Sequence, residues 1–197
     1  MTLPRIIPIT PITPITPINL ITPITMTSDT IRHRLLGLTA LASDYCVALE
    51  NASETTKEEF VALMLDYLPR IYWEFSDIDA GGLSADYGYF SSYVDEDYYE
   101  SVRRHVEALL GPDDVFLETF EEDMKYSDTP VASSVAECLA DIFQPLFNFI
   151  SIVKESEGEQ ITEAFMECKE NFVAYWSQTL CNVMRALNNI RYNTSQT

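Results

Sequence analysis

Residues 161–190 read ITEAFMECKENFVAYWSQTLCNVMRALNNI. Ile161, Phe165, Cys168, Phe172, Trp176, Leu180, Val183, Leu187 and Ile190 recur at steps of three or four, which holds apolar side chains on one face of an α-helix. About thirty residues at ~1.5 Å each make a rod of ~45 Å, long enough to be the backbone of a helical bundle. A stripe of that length must be covered by other helices, and the chain upstream supplies them.

Ile31, Leu35, Leu38, Ala42, Tyr45 and Leu49 alternate steps of four and three, with Ser28 or Asp29 placed to cap the helix they imply. Thr56-Lys57-Glu58-Glu59 has the form of a capping box and opens a second helix with an inward stripe of Phe60, Met64, Tyr67, Leu68, Ile71 and Phe75. Pro69 falls inside it and is expected to kink or split the helix, at up to ~3 kcal/mol. A third helix, capped near Asp95, turns Tyr99, Val102, Val106 and Leu109 inward and ends at Gly111-Pro112. In the connection over 113–128, Val115, Leu117 and Thr119 alternate with Phe116 and Phe120, the pattern of a brief strand without a partner elsewhere. Thr129-Pro130 reads as the start of a fourth helix carrying Val131, Val135, Leu139, Ile142, Leu146, Phe149 and Val153 inward, with a bend at Pro145. Gly158 separates it from the last. The fold class is all-α: residues 27–197 form a single bundle of five or six helices.

Residues 1–26 obey different rules. Pro-Ile-Thr repeats with proline at 8, 11, 14, 17 and 23, so no helix can form and the segment reads as a disordered, extended low-complexity tail. Without a continuous apolar stretch or a small-residue cleavage site it is a poor secretory signal, and it cannot satisfy its own backbone in lipid. Met26, where ordinary sequence begins, is the expected start of the working protein, and a chain beginning there is expected to melt at the same temperature.

Twelve basic residues against 31 acidic ones give a formal net charge of −19. Nucleic acid and anionic membranes both demand clustered Lys and Arg, so direct binding to either is disfavoured. A basic protein is the partner such a surface would suit, and a nucleic-acid mimic is one rival reading. Cys46, Cys138, Cys168 and Cys181 show no C-x-x-C pairing and read as small buried hydrophobes in a reducing compartment, which points to the cytoplasm.

Signatures of chemistry are scarce. Glu-x-x-His is absent before both His33 and His105, and Asp77-Ile-Asp79-Ala-Gly-Gly82 starts like a calcium loop but has Gly88 where a bidentate Glu is required. There is no G-x-S-x-G elbow and no Lys-Ser/Thr after Gly81-Gly82. No catalytic, cofactor or metal residues are therefore named. An enzyme or metal-binding protein with a carboxylate-lined site in the bundle is the second rival.

The stretch 72–100, YWEFSDIDAGGLSADYGYFSSYVDEDYYE, holds nine aromatic and eight acidic residues and no basic one. Rings and carboxylates both attract ammonium and guanidinium groups, so Asp86, Tyr87, Tyr89, Phe90, Tyr93, Asp95, Asp97 and Arg103 form a candidate partner-binding surface. The competing structural reading is a long connection whose aromatics cover one end of the core. Arg103 is expected to bridge to an acidic residue of the neighbouring connection.

Residues 93–155, YVDEDYYESVRRHVEALLGPDDVFLETFEEDMKYSDTPVASSVAECLADIFQPLFNFISIVKE, resemble the bacterial family catalogued as domain of unknown function 5063. The likeness is carried by the helix ending ALLG, Asp113-Asp114, SDTPVA and ECLADIFQPL, and it extends over residues 27–192. It implies a bacterial, cytoplasmic, helical protein and brings no catalytic residues with it. The functional expectation is a non-enzymatic protein-interaction module with an acidic and aromatic surface.

Overall fold

The computed structural model describes residues 28–79, 90–118 and 131–193. Among them the order is α1 (Ser28–Glu50), a 3-10 turn (Ala52–Glu54), α2 (Lys57–Asp77), α3 (Glu96–Leu110), a 3-10 turn (Gly111–Asp114), β1 (Val115–Leu117), β2 (Ala132–Ser134), α4 (Val135–Glu155), α5 (Ile161–Asn171), a π-helical turn (Phe172–Trp176) and α6 (Ser177–Asn193). The Pro-Ile-Thr tract lies outside the described residues.

α4 is the hub. It packs against α1, α3, α5 and α6, while α2 closes on α1 and α6. A helix that is apolar nearly all round belongs in a core or a membrane. α4 is long and apolar enough to span one by composition, but 56% of its most apolar window is buried beneath its neighbours. Leu139, Ile142, Phe143, Leu146 and Phe149 are sealed from solvent there, together with Leu35, Leu38, Tyr45 and Leu49 from α1.

The capping box at the start of α2 forms: Glu59 N donates to Thr56 Oγ1 at 3.3 Å and Thr56 N to Glu59 Oε2 at 3.4 Å. α2 then runs through Pro69 as one helix, so the expected split does not occur. Burial of Phe60, Met64, Leu68, Ile71 and Phe75 on both sides of the proline holds it together. Lys169 of α5 closes its far end, its Nζ donating to Phe75 O at 2.6 Å and Ile78 O at 2.8 Å. At the turn between α4 and α5, Gly158 adopts φ +82°, its N–H reaches back to Val153 O at 2.8 Å, and Arg32 Nη2 donates to its carbonyl at 3.1 Å.

Four expectations are corrected. The brief strand does have a partner: Val115, Phe116 and Leu117 pair antiparallel with Ser134, Ser133 and Ala132. The fourth helix accordingly starts at Val135, with Ser134 Oγ accepting from Glu137 N at 3.0 Å, and Val131 is 41% exposed. The strand pair also brings buried Asp114 to the same helix end, where its Oδ1 accepts from Ala136 N at 2.8 Å. Among the cysteines, Cys181 is exposed, because it sits one residue, or ~100°, past the buried Leu180. Arg103 bonds to Glu100 and Glu107 on its own helix, since side chains three and four apart on a helix are neighbours.

The apolar stripe of the last helical run is buried from Ile161 to Leu187, but it is not carried by a uniform α-helix. From Cys168 the buried positions step by four three times in succession, to Phe172, Trp176 and Leu180. Each step of four overshoots a 3.6-residue turn by ~40°, so three would swing the stripe ~120° off the core. One wider turn, with Ser177 N donating to Phe172 O five residues back, absorbs about one residue's worth of rotation, ~100°. Phe172 and Trp176 thus both point inward, with ring centroids 4.6 Å apart and Phe75 at 5.4 and 4.9 Å from them.

Candidate functional site

The wide turn that keeps Phe172 and Trp176 inside pushes Ala174 and Tyr175 outward, over the first turns of α4 and the end of the strand pair. The result is a cleft of about 380 Å³. Glu118 and Ser133 line it from the strands, Glu137, Cys138 and Asp141 from α4, and Tyr175, Gln178, Thr179 and Asn182 from the helix opposite. The carboxylates of Glu137 and Asp141 share a face because they are four residues apart. Among the described residues its lining contains no Lys, Arg or His.

Asp141 is held from two sides. Tyr99 of α3 donates to its Oδ1 and Tyr175 of the wide turn to its Oδ2, both at 2.7 Å. Burial, followed by the bond to Asp141, raises the pKa of Tyr99. The bond to Asp141, followed by burial, raises that of Tyr175. Both phenols therefore stay protonated as donors and hold the Asp141 side chain in place. Tyr175 leaves much of its ring, 56% of the residue, open to solvent.

Cys138 forms the floor. It is buried beside Ser133, Oγ to Sγ 3.8 Å, and burial pushes its thiol up to about 12, so it stays protonated and behaves as a small apolar wall. Asn182 is only 8% exposed and lines the cleft. Among the described residues no three of His, Cys, Asp and Glu converge as a metal-binding group.

A second cleft, about 440 Å³ between α1 and α2, is lined in part by Arg34, Arg70 and Trp73. Its cations are already committed: Arg34 pairs with Glu74 and Asp77, and Arg70 with Asp66.

Of the sequence-predicted surface, Asp86, Tyr87 and Tyr89 lie outside the described residues. Phe90 and Tyr93 are half-buried and pack against the core, and Tyr93 donates through N to Asn148 Oδ1 at 2.8 Å and through its hydroxyl to Glu155 Oε2 at 2.6 Å. Asp95 caps α3 by accepting from Tyr98 N at 2.8 Å, Asp97 is exposed in its first turn, and Arg103 carries its two intrahelical ion pairs. None of the described members of that set lines the acidic cleft. The residues that do line it went unremarked as a site in the sequence. The available signals were Asp141 and Asn182, polar residues inside two apolar stripes, and the run of three four-residue steps.

A family model described as domain of unknown function (DUF5063) matches residues 31–193. The crystal structure of protein BF1032 from Bacteroides fragilis is similar: 26% identity, TM-score 0.69, covering 83% of this chain and 96% of that one. No curated protein matches the chain.

Proposed function

We propose a function from one premise: the chain belongs to the family described as domain of unknown function DUF5063. That family supplies no activity, so the reading rests on the cleft. It is a non-enzymatic cytoplasmic binding module that takes a cationic side chain of a basic partner protein between α4 and the wide turn. The observation that carries this is the cleft's lining, in which Glu137 and Asp141 share one face of α4 and, among the described residues, no Lys, Arg or His takes part. A net charge of −19 adds long-range attraction for such a partner. Thiol chemistry at Cys138 is a poor rival, because its pKa of about 12 leaves almost no thiolate at neutral pH.

The test is a titration with a short basic peptide, at low and moderate salt, of the wild type and two charge-matched variants. Glu137→Gln removes a cleft carboxylate, and Glu157→Gln removes an exposed one at the α4–α5 turn. The proposal expects saturable one-to-one binding, weakened roughly tenfold by Glu137→Gln and little changed by Glu157→Gln, a difference of about 1.4 kcal/mol. Equal weakening by both would reduce the effect to diffuse charge attraction and end the reading, as would the absence of saturable binding.

A further inference from the structure

β1 pairs with β2 along one edge, and among the described residues no strand pairs with its other edge. Successive residues of an antiparallel strand turn their N–H and C=O to opposite edges. Glu118 N donates across to Val131 O at 2.8 Å, so Glu118 and Phe116 face β2, while Val115 and Leu117 present their backbone groups on the outer side. Among the described residues one hydrogen bond reaches that outer edge, from Arg185 Nη2 of α6 to Leu117 O at 2.8 Å. The side chains there are uncovered as well: Val115 is 64% and Leu117 57% exposed.

Beyond the edge lies a groove of about 490 Å³, lined by Val115, Phe116 and Leu117 on one side and by Arg185, Asn188 and Asn189 of α6 on the other. It shares no lining residue with the acidic cleft. Asp113, also in its lining, is already paired, with Oδ2 2.5 Å from Lys57 Nζ. Arg185 has no carboxylate partner among the described residues, in a chain of 31 acidic residues against 12 basic ones. The charge left over in the groove is therefore positive.

We propose that this groove receives an extended peptide segment of a partner protein, which adds to β1 as a third strand and sets one carboxylate on Arg185. The free groups define the occupant. N–H and C=O repeated along an edge are matched by the backbone of another extended chain, whereas a helix has already closed its own. Arg185 holds Leu117 O until a strand N–H replaces it, and the released guanidinium fork then fits a carboxylate. The net charge of −19 works against a strongly acidic segment, so the fit is to a single Asp or Glu in an otherwise uncharged run. A second copy suits the edge less well, because isologous pairing of two β1 strands would bring two Arg185 side chains to one edge and join two chains of that charge.

The probes are acetyl-Thr-Val-Glu-Val-Thr-amide, its Gln analogue, and a Glu analogue whose backbone nitrogens are all methylated, each titrated into the nitrogen-15-labelled full chain at moderate salt. The Glu peptide is expected to bind one to one, to move the amide resonances of Val115 and Leu117, and to bind about tenfold more tightly than the Gln peptide. Arg185→Gln should bring that ratio near one, whereas Lys154→Gln, which removes an exposed charge at the end of α4, should leave it unchanged. The methylated peptide should not bind. Absence of saturable binding, a ratio that survives Arg185→Gln, or equal binding by the methylated peptide would each overturn the proposal. So would sedimentation of the free chain as a dimer that Leu117→Lys converts to monomer, a result that assigns the edge to a second copy.

Discussion

Replacing Tyr45 by phenylalanine should make the protein less stable at neutral pH and more stable in alkali. Tyr45 is fully buried, and its hydroxyl donates to Leu139 O of α4 at 2.8 Å. Phenylalanine keeps the ring in place, so the neutral-pH cost is that one bond, about 1 kcal/mol and within roughly 0.5–1.5. Burial holds the folded pKa well above the ordinary 10.0. The unfolded chain therefore sheds this proton first, and above pH ~10 the wild type loses about 1.4 kcal/mol per pH unit that the variant does not. The contribution of Tyr45 is thus complete below the unfolded pKa and drains away as pH rises toward the folded one. Setting ~1 kcal/mol against RT ln(1 + 10^(pH − 10)) puts the crossover near pH ~10.6, with the range above spanning about 10.1 to 11.1. Tyr98, Tyr99 and Tyr175, whose pKa values are also raised, titrate in both proteins and cancel in the difference. Urea unfolding followed by circular dichroism at pH 7.5, 10, 10.5 and 11 measures it. A stability difference that stays constant from pH 8 to 11 would mean that Tyr45 is not held neutral in the core, and the argument would fail.

Two other changes test the packing, both read by thermal and urea unfolding. Gly158→Ala should cost about 1–2 kcal/mol, because the positive φ is strained for a Cβ. The nearest neighbour, Arg32 Nη2 at 3.7 Å, would not clash, so the cost is conformational; no loss would show that the turn relaxes. Lys169→Met should cost about 2 kcal/mol, or ~4–8 °C in melting temperature, by stripping the donors from Phe75 O and Ile78 O. An unchanged melting temperature would show that water replaces the ammonium at no cost.

The helices were legible because each buries one face, and Phe60, Met64, Leu68, Ile71 and Phe75 declare that face through spacing alone. The strand pair was not, since three residues a side leave no alternation to read and Thr129-Pro130 imitates a helix start. The same pairing hid the role of Asp114, which caps a helix 22 residues further along the chain. Nor could the cleft be read. Asp141 and Asn182 each resemble an imperfection in an apolar stripe, and only the packing of α4 against α6 brings them to one wall. The acidic and aromatic run over 72–100 drew attention by composition, whereas the cleft is assembled from residues that are unremarkable where they stand.

The wide turn at Phe172–Trp176 also bears on how this protein can change over generations. A helix locked into a core on both sides normally cannot lose a residue, because everything beyond the deletion rotates by ~100°. Here the longest helical run already carries about one residue more than its packing requires, parked in the exposed pair Val173 and Ala174. Deleting one of them would restore ordinary α-helical phase between Phe172 and Trp176 and leave the buried stripe intact. What would vanish is the outward throw of Tyr175 and its hold on Asp141. The fold and the cleft are thus separable by a single codon, and a lineage could shed or regain the site without rebuilding the bundle.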